Sequence, residues 1–387
     1  LLILDRVWRI GSDRDIFGGY YIDSAGDDAN DDHWIPRLPS HTPVAPNTRV
    51  DITTLSRHVG RNRKPIRQPK IPGAKGSSGK ALTGFFQKLF NTTNPYQHPP
   101  DAPPAEEVKT LIQPANVIDA ILQYPGGKGP GPDGIHISML KAAIEREPDL
   151  NNSSKFGKPN LKSPLMVLLA QIFSDLITQG LFPESLNCTV ILALPKKSDD
   201  QIETAADFRP ITLTQIVRRI FEKCFLNLFR GHPGYKTHHT QAGFKSNYSC
   251  YTHVLAAMEQ ETQSAEEWID VCLDITKAYD TVVLSRLWIL LRCARFPENW
   301  IRCLQALFEN IPTRVSYRGG MSSPFTRTNG ILQGSILGPP LFIIYMDTLA
   351  TTLHACRPER TYLFADDTRI HGLRKECLVE LITIVEQ

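Results

Sequence analysis

The chain has 387 residues, a formal net charge of +3, 41% hydrophobic residues and 21% charged residues. That balance fits a packed core in two or three domains and excludes a global charge that would by itself demand a polyanionic partner. All eight cysteines lie at or beyond Cys188, with no Cys-x-x-Cys pair and no Cys/His cluster at zinc spacing, which fits a reducing, intracellular setting (nucleus or cytoplasm). No apolar run reaches about 18 residues, so no membrane span is expected. The first residues, "LLILD", contain neither an initiator Met nor a signal peptide, and the chain reads as a fragment of something longer.

Residues 1–80 lack sustained periodicity and are rich in Pro, Gly, Asp and Asn, so they are expected to form a mostly disordered arm. Within it, Arg57 to Lys80 carries eight Lys or Arg and no acid, which reads equally as a solvated linker and as an arm that touches nucleic acid. Residues 81–106 comprise a short amphipathic helix, "ALTGFFQKLF", and a Pro-rich linker. From about Glu107 the apolar patterning becomes continuous, and residues 107–387 read as one domain.

In that domain "YPGGKGPGPDGI" cannot be a regular element. "ISMLKAAIERE" and "SPLMVLLAQIFSDLITQG" read as helices, the second closed by Gly180 with Pro183 beyond it. "CTVILALPKK" and "RPITL" read as strands, "IVRRIFEKCFLNLFR" as a helix, "WIDVCLDI" as a buried strand and "TVVLSRLWILLRCARF" as a helix. "TRVSYRG" and "PFTRTNGI" resemble a hairpin pair, "PPLFIIYMDTLATTL" a helix, "TYLFADDTRIHGL" a strand, turn and strand, and "KECLVELITIVEQ" a last helix. Helices and strands mix without a regular βαβ repeat, which predicts an α+β fold with helices packed on an antiparallel sheet.

The chemistry gathers on carboxylates. Asp366 and Asp367 are adjacent inside an apolar hairpin, where they are either the solvated turn of an exposed hairpin or ligands of a hard divalent cation. A third acid, Asp274, ends an apolar strand, and pairing of that strand beside the hairpin would bring the three together. Three convergent carboxylates can hold two metal ions about 4 Å apart, the arrangement that serves in-line phosphoryl displacement. Asp280, just ahead of an apolar helix, reads as its N-cap.

"CLDITKAYDTV", "NGILQGSILGPPLF" and "YLFADDT", preceded by "GPGPDGI", "ILALPKK…ADFRPITL" and "QAGFKSNYS", occur in one order. In that order they resemble the palm and finger motifs of non-LTR (LINE-type) retrotransposon reverse transcriptases, over about Glu107 to the C-terminus. The resemblance implies a right-hand polymerase fold with fingers and an antiparallel palm sheet, the thumb truncated. It implies RNA-directed DNA synthesis with an RNA template, a DNA primer or target and dNTPs as partners, and Mg²⁺ as cofactor with Mn²⁺ as the alternative. Asp274, Asp366 and Asp367 become the catalytic metal ligands, joined by the backbone carbonyl of Ile275. Lys196 and Arg209 fall over the triphosphate, with Lys197 a less certain neighbour. Tyr279 falls under the sugar, where it would exclude a 2′-hydroxyl, and Gln333 and Gly334 beside the nascent pair. Phe364 stands where the family usually has Tyr. No endonuclease-like acid and His constellation is read in residues 1–80. Two other readings remain at this point, a non-catalytic nucleic-acid-binding remnant and a maturase-like reverse transcriptase.

Overall fold

The structure, a computed structural model, describes residues 2–8, 68–91, 102–144, 159–249, 269–356 and 361–373, less residues 73, 75, 76, 127 and 128, and isolated positions 251, 253, 255 and 256. In chain order its elements are β1 (Leu2–Trp8), α1 (Ser78–Phe90), α2 (Pro114–Leu122), α3 (Ile137–Ala142), α4 (Pro164–Gln179), β2 (Thr189–Pro195), β3 (Phe208–Leu213) and α5 (Ile216–Gly231). They continue with β4 (Ile269–Ile275), α6 (Leu284–Cys293), α7 (Glu298–Phe308), β5 (Ile311–Tyr317), β6 (Gly320–Met321), β7 (Phe325–Arg327), α8 (Gly338–Cys356), β8 (Thr361–Phe364) and β9 (Asp367–Leu373). The α+β class expected from the sequence is the class observed.

Two sheets result. One is antiparallel throughout, in the order β1-β4-β9-β8. The other runs β3-β2-β5-β6, with β7 also on β5, and its β2–β5 pair is parallel. A purely antiparallel fold therefore holds only for the first sheet. The parallel pair is joined by a long excursion through α5, β4, α6 and α7, the kind of crossover a parallel pairing requires.

Local signals explain most element ends. Pro164 opens α4, and Gly180 closes it in the left-handed conformation at φ 69°. A side chain there would meet Arg302 at 2.9 Å, so the glycine also makes room for α7. Helix α1 is capped by Ser77, which accepts the Lys80 N–H at 3.3 Å, and it buries Leu82, Phe86 and Phe90 at helical spacing.

These three residues pack with Ile191, Ala193, Phe208, Val315 and Phe325 of the second sheet in a small core. The larger core is built around α5, where Phe221, Phe225 and Phe229 meet Phe173, Phe182, Phe296 and Trp300 ring against ring.

Two parts of the expected disordered arm are ordered instead. Leu2–Trp8 forms an edge strand on β4, with Ile3 opposite Asp274 and Leu2 opposite Ile275. Residues 68–71 dock on the second sheet: Gln68 Nε2 donates to Ala193 O at 3.0 Å, and Tyr317 Oη donates to Pro69 O at 2.6 Å. Backbone groups at a sheet edge were available to pair, and sequence periodicity does not report them. The rest of that arm, most of the Pro-rich linker and the last helix expected at 375–387 lie outside the described residues. The chain after the linker is pinned: Val108 N–H donates to Asn299 Oδ1 at 3.1 Å, and Ile112 N–H to Ser174 Oγ at 2.8 Å. Among the described residues no helix is long and apolar enough to cross a membrane.

Candidate active site

The register of the first sheet assembles the acids. Leu273 pairs with Thr368 and Phe364 with Asp367, so continuing the β4–β9 ladder by one residue sets Asp274 across from Asp367. Asp366 occupies the turn between β8 and β9. Asp274 and Asp367 are exposed and Asp366 is half-buried, so the group faces an accessible space. Burial raises the Asp366 carboxyl above the ordinary carboxylate range, and Asp274 adds like-charge repulsion. The Asp367 carboxyl, although its residue is exposed, is raised by partial desolvation within the cluster and then by the charges of Asp366 and Asp274. Three carboxylates converging on an accessible edge form a donor set suited to a hard divalent cation.

The turn that carries Asp366 is tightly built. Ala365 has φ 60°, unusual for a residue with a side chain. Gln241 fixes it from the preceding loop: Oε1 accepts the Ala365 N–H at 2.8 Å, and Nε2 donates to Ala365 O at 3.1 Å. The same loop adds Leu363 N–H to Thr240 O at 2.9 Å and Ala242 N–H to Leu363 O at 2.8 Å. A Cβ on Gly243 would fall 2.2 Å from Ala365 N, so only glycine fits against the turn. The "QAGF" stretch is thus the support of the Asp366 turn, a role its sequence did not reveal.

Tyr279 stands beside this edge. Its ring stacks on Phe342 of α8 at 4.6 Å and 17°, and Phe244 approaches its edge at 6.5 Å. Burial raises the phenol strongly, and the charge of Asp366 raises it further. The ring is half-buried, with Asp366 within electrostatic range, so it is both a packed aromatic and a wall of the site. Ile275 ends β4, partly buried against the main core.

Asp280 is not a helix cap. Helix α6 begins at Leu284 with Val283 at its N-cap, and Asp280 is 3% exposed. Its Oδ2 accepts from Gln333 Nε2 at 2.9 Å, while Oδ1 has no hydrogen-bond partner among the described residues. Burial pushes this carboxyl up to about 6, against the opposing pull of Arg327, the Gln333 bond, Lys277 and Lys196. Gln333 is also anchored through its backbone, its carbonyl accepting the Thr212 N–H at 2.7 Å. Gly334, exposed at φ 125°, would carry a Cβ 2.5 Å from Thr212 O. Its close backbone approach is therefore to strand β3.

The turn after Gly334 is held from α5. Glu222 accepts Ser335 Oγ–H at 2.8 Å, Ile336 N–H at 2.7 Å and Arg218 Nε–H at 2.7 Å. Arg218 and Glu222 are fully buried, and Arg218 also donates to Asn187 Oδ1 and to Leu307 O. This ion pair was not singled out from the sequence, because a polar pair four residues apart in a helix reads as surface.

Lys196 and Arg209 are exposed. Arg209 pairs with Leu194, two residues before Lys196, so the pleat sets both cations on one face. Lys197 is taken by Asp207 at 2.8 Å, which holds the Asp207 carboxyl well below its usual range. Lys277, within "DITKAYD" and not singled out before, sits 4.3 Å over the Phe85 ring. Burial and then the charge of Lys196 lower its pKa, so the two ammonium groups lie within range of each other and of Asp280. The structure therefore gathers one acidic edge (Asp274, Asp366, Asp367, with Tyr279) and one cationic face (Lys196, Arg209), with Lys277 and the Asp280–Gln333 pair close to Lys196.

Residues 194–387 match the family model described as "Reverse transcriptase (RNA-dependent DNA polymerase)". The chain belongs to the reverse transcriptase family. Its relatives place it in the non-LTR retrotransposon branch. It is 24% identical over 339 residues, 79% of its length, to the probable RNA-directed DNA polymerase from transposon BS of Drosophila melanogaster. It is 23% identical over 61% of its length to the probable RNA-directed DNA polymerase from transposon X-element. Against the RNA-directed DNA polymerase from mobile element jockey it is 24% identical over 56% of its length, both from the same organism. The chain spans about a third of the first relative and about a quarter of the other two, matching 34%, 24% and 25% of their lengths.

Proposed function

We propose that this chain carries the fingers and palm of a non-LTR retrotransposon polymerase that extends a DNA primer on an RNA template from dNTPs. The observation that carries the proposal is the register that sets Asp274 across from Asp367 beside the Asp366 turn, at an accessible edge. Reverse transcriptases generally use divalent metal ions, and we propose Mg²⁺, with Mn²⁺ as substitute, held by Asp274, Asp366 and Asp367 and by the Ile275 carbonyl. When bound, such ions supply charge neutralisation and a more acidic primer hydroxyl.

The chain's own residues do the rest. Lys196 and Arg209 neutralise the triphosphate, Lys as a point charge and Arg as a planar fork, and Lys277 adds a third cation close to Lys196. Tyr279, braced on Phe342, closes the space a 2′-hydroxyl would need. Gln333, tethered to Asp280, orients the nascent pair, and Gly334 lets its turn lie against β3.

Primer extension on an RNA template, in the full-length polypeptide of the element, tests the proposal. Incorporation of dNTPs that depends on the divalent ion and is lost in Asp366→Asn supports it. RNA binding with no extension by the unmodified polypeptide would establish the binding-only reading instead.

A further inference from the structure

Three imidazoles outside the polymerase site converge on one point. His238 and His239 lie on the loop before Gln241, and His354 lies in the last turns of α8. Each offers a ring nitrogen, and the three lie within 4.8 Å of one another. The ring centroids are 4.4 Å, 4.9 Å and 4.5 Å apart, and the His239 and His354 rings stand at 89°. Sequence spacing hid this cluster, because His354 comes from a helix far along the chain.

Several features set these rings up as ligands. His354 Nδ1 is buried and has no hydrogen-bond partner among the described residues, a costly state for a polar atom that nothing fills. His238 Nδ1 lies 2.8 Å from Thr240 Oγ1. The Thr240 N–H lies 3.4 Å from the same Nδ1, a weak contact, so a ligating Nε2 requires the Nδ1–H tautomer with the Thr240 hydroxyl accepting. The loop backbone is fixed on both sides: His238 N–H donates to Asp347 Oδ1 at 2.6 Å, and Lys245 Nζ donates to His238 O at 2.8 Å. His239 is exposed, which gives a metal ion an entry path.

We propose that His238, His239 and His354 form a transition-metal site of the zinc class, separate from the carboxylate site, with water in the fourth position. Three imidazole nitrogens and no thiolate or carboxylate select Zn²⁺ over Mg²⁺ or Ca²⁺. Tetrahedral coordination at Zn–N of about 2.0–2.1 Å asks for nitrogens somewhat closer than the limit seen here, a small adjustment of three side chains. The ion fastens the 238–243 loop to the end of α8. That loop in turn grips Leu363 and Ala365, so the clamp steadies the turn bearing Asp366.

Metal binding here does not depend on polymerase activity, so the test reads binding and unfolding. The chain is stripped with a chelator and titrated with Co²⁺, a spectroscopic stand-in for Zn²⁺. One equivalent should give the intense ligand-field absorption of tetrahedral nitrogen coordination, displaced by Zn²⁺. Affinity should fall at least about tenfold in His239→Ala and in His354→Ala. The exposed His239 provides the variant that keeps its fold, checked by circular dichroism. The absorption should persist in Asp366→Asn. Saturating Zn²⁺ should raise the melting temperature of the unmodified chain and not that of His239→Ala. Absence of the absorption in the folded chain, its persistence at full affinity in both His variants, or its loss in Asp366→Asn would overturn the assignment.

Discussion

Gln241 holds Ala365 by both backbone groups, accepting its N–H at 2.8 Å and donating to its carbonyl at 3.1 Å. Gln241 is 1% exposed and Ala365 7% exposed, so water does not replace these bonds when the amide is lost. The Gly243 N–H, which donates to the same Oε1 at 2.8 Å, is stranded as well. Gln241→Ala is expected to cost about 3 kcal/mol or more, since three buried backbone groups lose their partner at roughly 1–3 kcal/mol each. Gln241→Glu keeps the acceptor but sets a buried carboxylate against the Ala365 carbonyl, so it should cost at least as much. Urea unfolding reads the stability, and extension activity should drop in the same order because the Asp366 turn loosens. Equal stability of all three proteins would show that the loop does not support the turn.

The Asp280–Gln333 pair gives a pH signature. The Asp280 carboxyl is pushed up to about 6 in the fold, against about 3.9 unfolded. Between those values the folded state binds more protons than the unfolded state. Its contribution is therefore fully present below about pH 4 and is lost as pH rises through about 6. The loss is about 3 kcal/mol at most, from the two-unit shift. Asp366 and Asp367 shift in the same direction, so the wild-type profile alone does not isolate Asp280. The stability difference between wild type and Asp280→Asn does: it should decline from about pH 4 to about pH 6 and stay level above that. A difference that grows with pH would mean that Arg327 stabilises the charged carboxylate more than burial opposes it.

Glu222 joins helix α5 to the turn after Gly334 through two accepted bonds, from Ser335 Oγ–H and Ile336 N–H, and accepts a third from Arg218 within α5. Glu222→Ala leaves the fully buried Arg218 guanidinium without its charge partner, and is expected to cost about 3–5 kcal/mol. The double change Arg218→Met with Glu222→Leu removes both charges and should recover a substantial part of that loss. Chemical denaturation of the two variants measures it. The double variant should still lose extension activity, since Ser335 and Ile336 no longer have their anchor. A double variant no more stable than Glu222→Ala would show that the pair itself, and not the unpaired charge, sets the stability.

The acidic edge predicts opposite effects on folding and on catalysis. Without metal, Asp366 repels Asp274 and Asp367, so Asp366→Asn should melt no lower than wild type in chelator, and higher as pH rises through the carboxylate titration. Extension should be abolished in Asp366→Asn and in Asp274→Asn. Mn²⁺ should broaden resonances near the site in wild type, and both variants should weaken that effect. Full extension activity in either variant would refute the carboxylate assignment.

What could be read from the sequence was local. The Asp-Asp hairpin was legible because its strands are short, adjacent and apolar on both sides of the acids. The end of α4 was legible because Gly180 and Pro183 signal it in place. What escaped was long-range or disguised. Leu2–Trp8 pairs with a strand far along the chain, and its Asp5 and Arg6 look like loop residues. Asp280 sat where a helix cap was expected, but three further residues precede α6, and it turned inward to Gln333. Glu222 carries no signature at all, and Gln241, although it opens "QAGFKSNYS", gives no sign of its role, because an amide or acid that satisfies distant backbone groups looks like any polar residue until the fold brings those groups to it.

Tyr279 separates a packing role from a gating role. Its ring lies against Phe342 at 4.6 Å, so Tyr279→Ala removes an aromatic stack and leaves a partial cavity, at a cost of about 2–4 kcal/mol. Tyr279→Phe keeps the ring and the stack and should cost less than about 1 kcal/mol. Both variants should be measured in the full-length polypeptide, below the melting temperature of the weaker one. If the ring closes the space for a 2′-hydroxyl, Tyr279→Ala should lower the preference for dNTP over rNTP at least about tenfold, with Tyr279→Phe unchanged. The preference is a ratio taken on one enzyme, so loss of folded protein cancels from it. Lower stability with an unchanged ratio would leave Tyr279 as a spacer between Phe342 and Phe244, and the choice of sugar would have to lie elsewhere on the edge.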